Sequence, residues 1–145
     1  MTPRLAALVC LLATPATAWD FSPKPVCTLS NDDGETSVRV THDPRLDLPY
    51  AIQITRQTDT WTQSPVFALR FDGPRSLTIS TDRHQLSPDT STVSVQDRGF
   101  GNVLDGIAFG HTATAFLGDQ STTFSTTGAK SAVEQFRNCS TALGV

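Results

Sequence analysis

Apolar and polar side chains alternate along the middle of the chain. Val38 and Val40 alternate with polar neighbours, as do Tyr50, Ile52 and Ile54, then Phe67, Leu69 and Phe71, then Leu77 and Ile79, then Val93 and Val95. A period of two at this spacing marks half-buried antiparallel strands, because successive side chains of a strand point to opposite faces. Between the runs lie Asp33-Gly34, Asp43-Pro44, Asp72-Gly73-Pro74 and Ser87-Pro88-Asp89. Gly and Pro set the turn dihedrals there, and Asp accepts local backbone hydrogen bonds. The pattern predicts a mainly β domain, an antiparallel β-sandwich or small barrel.

Toward the C-terminus the period changes. Asn102 is placed to cap a short helix over Val103 to Phe109 that Gly110 would end, although Gly106 in its middle disfavours helix. Thr112 to Leu117 and Ser121 to Ser125 predict a hairpin around Gly118-Asp119. After Gly128, residues Ala129, Ala132, Val133, Phe136 and Cys139 fall on one face at helical spacing, with Lys130, Glu134 and Arg137 on the other. Cys27 shares strand parity with Leu29, and Cys139 shares the apolar stripe of Phe136. A bridge between them would staple the last helix to an early strand.

The start of the chain reads as an address. Arg4 supplies a positive charge, Leu5 to Leu12 an apolar run, and Ala16-Thr17-Ala18 a small-x-small cleavage site, so residues 1–18 are expected to be a cleaved signal peptide. The run, interrupted by Thr14 and Pro15, is too short to span a membrane. Cys10 lies inside it behind Val9, away from any lipidation position, and would leave with the leader. A single β-rich domain over residues 19–145 would remain, in the periplasm or outside the cell. Its two cysteines, Cys27 and Cys139, allow one intramolecular pairing in a compartment where disulfides persist. Loss of Arg4 turns 11 basic against 14 acidic residues into a net charge of −4. Such a balance gives nucleic acid or anionic lipid no electrostatic reason to bind.

The run Thr112-Ala113-Thr114-Ala115-Phe116-Leu117-Gly118-Asp119-Gln120, followed by Phe124-Ser125-Thr126-Thr127-Gly128-Ala129 and Ala132, is similar to the ending of invasion-associated locus B proteins of alphaproteobacteria. The resemblance covers the last third of the chain. It implies a small periplasmic β-sandwich protein of the cell envelope without enzymatic activity, and it transfers no catalytic residues. The chain departs from that family in ending its helix with Cys139.

Candidate chemistry adds little to this picture. Arg98-Gly99-Phe100-Gly101-Asn102-Val103 copies the first half of an RNA-recognition consensus, but Asn102 and Asp105 stand where stacking aromatics are needed. No Walker lysine follows these glycines, so a strand-to-helix loop is the better reading. His42, Asp43 and Asp47 lie close together and His84 follows Asp82, which raises a metal site assembled from His42, Asp43 or His84 as an alternative. Asp32-Asp33-Gly34-Glu35 lacks the distal Glu of a calcium loop and reads as an acidic turn. No Gly-x-Ser-x-Gly elbow is present to activate a serine. Asn138-Cys139-Ser140 fits a glycosylation sequon whose middle residue is taken by the bridge.

Surface chemistry remains. Trp61 sits among threonines, and Trp19 and Phe21 open the mature chain, so these rings are candidate partner anchors; the favoured alternative is that Trp61 folds back over a sheet edge and the N-terminal rings plug one end of the sandwich. Arg70 points outward by parity and forms a candidate basic patch with Arg75 and Arg83, set against Asp72 and Asp82. The expectation is a monomeric, non-enzymatic envelope module without a cofactor, which binds an envelope protein through Trp61, Trp19, Arg70 or Arg75. A small metal-binding protein or metal-dependent enzyme, and a purely structural or stress-protective protein, are the alternatives.

Overall fold

The structure is a computed structural model and describes residues 2–3, 9–11 and 19–143. Arg4 and the Ala16-Thr17-Ala18 segment of the expected leader lie outside the described residues, and Cys10 is a free, exposed thiol. Each alternating run of the sequence is a strand. In chain order the elements are β1 (Asp20–Ser22), β2 (Cys27–Asp32), β3 (Thr36–His42), β4 (Tyr50–Arg56), β5 (Phe67–Asp72), β6 (Leu77–Thr81), β7 (Gln85–Leu86) and β8 (Thr92–Asp97). They continue with α1 (Gly101–Phe109), β9 (Thr112–Leu117), β10 (Gln120–Ser125) and α2 (Lys130–Leu143).

Among the described residues the strands form two antiparallel sheets and no closed barrel. The larger has the order β1-β2-β3-β4-β8-β7, the smaller β10-β9-β5-β6. Register places apolar residues opposite one another on the inner faces. In the larger sheet Val40 pairs with Ile52, Ile52 with Val95, Val38 with Ile54 and Ile54 with Val93. In the smaller, Leu69 lies between Ala115 and Ile79, and Phe71 between Ala113 and Leu77. A one-residue slip would turn every one of these side chains to solvent, so the buried face fixes the register. The intervening residues, such as Arg39, Gln53 and Arg70, are exposed on the outer faces.

The Gly118-Asp119 turn joins β9 to β10 directly, with Leu117 opposite Gln120. Gly118 has φ 58° at the first central position, as a tight hairpin turn of the primed kind requires. Helix α2 lies across β1 and β2 and touches α1. Its buried stripe is Ala132, Val133 and Phe136, preceded by Ala129, in agreement with the sequence periodicity. Cys139, on the same helix, bridges Cys27 with a Cα–Cα distance of 6.1 Å, closing a separation of 112 residues.

Helix α1 starts earlier than its sequence suggests. Phe100 is the N-cap and no side chain caps the first turn, so Asn102 sits inside the helix rather than ahead of it. The Phe100 carbonyl accepts the first helical bond, from the Leu104 N–H at 2.8 Å. Gly106, which disfavours helix in isolation, is required by packing: a Cβ at this position would overlap the ring of Phe71, a fully buried residue of β5. Gly106→Ala is therefore expected to lower stability by about 1–3 kcal/mol, overpacking outweighing the gain in helix propensity. Urea unfolding of the variant checks this, and a stabilised protein would contradict the contact.

Candidate functional site

A cleft of about 450 Å³ opens between the two sheets, lined by residues of β4, β5, β6 and β8 and by the start of α1. Ile52 and Val95 line it from the larger sheet, and Phe67, Leu69 and Ile79 from the smaller. Phe100 and Val103, at the start of α1, also line it. Ile52, Phe67, Leu69, Phe100 and Val103 are otherwise buried, whereas Ile79 and Val95 are only partly buried and form the more accessible part of the wall. The polar lining comes from Ser80, Thr81, Arg83, Asp97 and Asn102 together with Gly99 and Gly101. Arg83 faces Asp97 at 3.8 Å, with both side chains largely exposed. A pair of that length in water contributes little to stability. Side chains added at Gly99 or Gly101 would meet open space. The cleft lies within the usual range of small-molecule sites, about 300–1,000 Å³, and has their makeup of apolar walls with a few polar groups.

Of the two readings of the tryptophans, burial supports packing onto the fold rather than presentation to a partner. Trp61 is 2% exposed and Trp19 7%. Trp61 belongs to the crossover from β4 to β5. Its backbone N–H donates to the Thr90 carbonyl at 2.7 Å, its indole N–H to the Ile54 carbonyl at 3.3 Å, and the Arg56 guanidinium lies 5.1 Å from the ring centroid. Gln120 clamps the same crossover, accepting from the Thr62 N–H and donating to the Thr60 carbonyl. Trp19 donates its indole N–H to the Ser125 carbonyl at 3.0 Å and packs on Phe124, closing the β10 side of the fold. Burial of a large ring with its one donor satisfied is a structural arrangement.

Each of the three arginines has its own neighbours. Arg70 is exposed on the outer face of β5, over the Phe116 ring and paired with Asp72 at 3.1 Å. Arg75 stands over Phe109, whose other neighbour is the Lys130 ammonium. Arg83, by contrast, lines the cleft.

The residues considered for metal are held by separate partners. Asp43 binds Arg45 through two hydrogen bonds of 2.9 Å, and the guanidinium holds its carboxyl down at about 2. His84 points its Nε2 at the Ser64 carbonyl at 2.8 Å and at Gln63 Oε1 at 3.1 Å; both are acceptors, so Nε2 carries the proton. His42 packs on Tyr50 at 4.6 Å between ring centroids and lies opposite Cys27 in the ladder. Among the described residues no group of three or more His, Cys, Asp and Glu is placed to hold an ion. The carboxylates of Asp32 and Asp33 are engaged by the N–H groups of Gly34, Glu35 and Thr36, as an acidic turn requires.

Burial holds His42 below the ordinary histidine range, against a weaker opposing pull from Asp43, and its Nδ1 meets no hydrogen-bonding group among the described residues. As pH falls below about 6.5 the unfolded chain takes up this proton before the folded one, so stability is present above that pH and declines below it. Asp43 stays ionised across this window. His42→Phe is expected to flatten the fall in urea midpoint between about pH 7 and 5 relative to the parent protein, and parallel profiles would contradict it.

No protein-family model, curated protein or solved structure matches this chain. Among the described residues no helix is long and apolar enough to cross a membrane.

Proposed function

We propose that this protein is a small periplasmic or secreted β-sandwich module of the cell envelope that works by binding rather than by catalysis, with the inter-sheet cleft as its contact site. The observation that carries this reading is the cleft itself, where apolar side chains that would close a complete sandwich remain accessible between β6 and β8. The leader-like first residues and the Cys27–Cys139 bridge support an oxidising compartment. The resemblance of the C-terminal third to invasion-associated locus B proteins supports the envelope.

Native mass spectrometry of the protein isolated gently from its own envelope fraction tests the reading. A non-covalent occupant that is lost from the Ile79→Trp variant, in which the cleft is filled, is the expected result. An intrinsic turnover abolished by a single Asp or His substitution would overturn it, as would an occupant retained by the cleft-filled variant.

A further inference from the structure

We infer that the cleft takes an amphiphilic carboxylate, with a single hydrocarbon chain lying between the sheets and its carboxylate at the rim beside Arg83. The inference rests on the binding reading above and adds the chemistry of the occupant.

The walls specify the chain. Side chains from both sheets meet across the cleft, with Ile52 and Val95 on one side and Leu69 and Ile79 on the other, and none of these four offers a hydrogen bond to a polar ligand body. A slot between two apolar sheet faces accepts an extended methylene chain and stabilises it through the area removed from water. The volume of about 450 Å³ suits one chain of a small amphiphile rather than a folded partner's surface.

The polar lining specifies the head. The Arg83 guanidinium, the Asn102 amide and the Thr81 hydroxyl, which shares the inward parity of Ile79, supply donors against the single carboxylate of Asp97. Arg83 is only weakly held by Asp97 at 3.8 Å, and another Asp97 oxygen already accepts the Arg98 N–H at 2.7 Å. A ligand carboxylate gives the guanidinium the planar, two-oxygen partner that its fork geometry favours. The first turn of α1, bare of any side-chain cap or acidic residue, adds backbone donors to the same lining through Gly101 and Asn102.

Titration of the purified full chain with dodecanoate below its micelle concentration, followed by amide NMR and calorimetry, tests the inference against dodecanol as the uncharged probe. The expected result is saturable one-to-one binding of dodecanoate, with resonance shifts centred on Ile79, Val95 and Val103. Arg83→Gln should weaken dodecanoate about tenfold or more and leave dodecanol within about twofold, the difference expected for one charge-assisted contact. Ile79→Trp should abolish both, with Val95→Phe as the alternative filling variant if the tryptophan disturbs folding. Absence of saturable binding, shifts centred elsewhere, or equal effects of Arg83→Gln on acid and alcohol would each overturn the inference. An envelope-derived occupant displaced by Ile79→Trp from a protein that ignores dodecanoate would leave the binding reading standing and remove only this chemistry; loss of both results would remove both.

Discussion

Cys27→Ser or Cys139→Ser lowers the melting midpoint by on the order of 10–20 °C, the largest single effect expected in this protein. The bridge closes 112 residues. On the chain-entropy model, freeing a loop of that length destabilises the fold by about 4–5 kcal/mol through the unfolded state alone. Packing adds a second cost, because Cys27 is fully buried and a serine there places a hydroxyl on the buried face that Leu29 shares, opposite His42. The two variants should therefore differ: Cys27→Ser is the more destabilising, and Cys139→Ser, at a position only partly buried, lies closer to the effect of reduction alone. Thermal unfolding followed by circular dichroism, with and without reductant, checks both. A midpoint unmoved by reductant would mean that the bridge carries no stability.

Trp61→Ala is expected to cost about 3–5 kcal/mol, the usual range for removing a large buried aromatic. Trp61 is 2% exposed, and its loss leaves a void beneath the crossover that links the two sheets. The Ile54 carbonyl loses its contact with the indole N–H, and the Arg56 guanidinium loses the ring beneath it. Trp61→Phe keeps most of the packing and removes the donor, so its cost should be about 1–3 kcal/mol. Urea unfolding of both variants separates packing from hydrogen bonding. A loss below about 1 kcal/mol for Trp61→Ala would place the ring at the surface, where it could serve a partner.

Trp61 also shows what a sequence leaves open between two readings. It sits in the polar run Thr60-Trp61-Thr62-Gln63, so local hydropathy offers no reason to bury it. What buries it is tertiary: the Thr90 carbonyl fixes its backbone and the Ile54 carbonyl its indole, and both lie on other segments. The strands were legible for the opposite reason. A sheet with one buried face writes its geometry into every second residue, as Val38, Val40, Ile52, Ile54, Phe67 and Leu69 do. The two shortest strands, β1 and β7, carry no such signature, because three and two residues are too few to show a period.

The start of α1 was misplaced because Asn102 is a good cap in general, while the actual cap, Phe100, is held by its ring against Tyr50 at 5.7 Å. Gly106 was legible as an obstacle to helix and illegible as a necessity, since its reason lies in Phe71. The cleft was hidden most completely. Its walls come from β4, β5, β6, β8 and α1, and each wall residue, taken alone, looks like ordinary core. Only the meeting of residues from both sheets and α1 turns Ile79 and Val95 into a site, and no single segment encodes that meeting.

The position of the bridge also determines how the molecule responds to a pull on its ends. Tension applied between residue 19 and the end of α2 travels through the short stretch before Cys27, across the sulfurs, and out beyond Cys139, so the 112-residue separation between them carries no load. Under such a pull β1 would peel from β2 and Trp19 from Ser125, while the two facing sheets and their cleft remained intact until the covalent link itself broke. With the bridge reduced, the same pull would reach every strand in turn, and the slack released would be longer by more than a hundred residues. Redox state thus decides whether this domain is a short, stiff link or a long, extensible one.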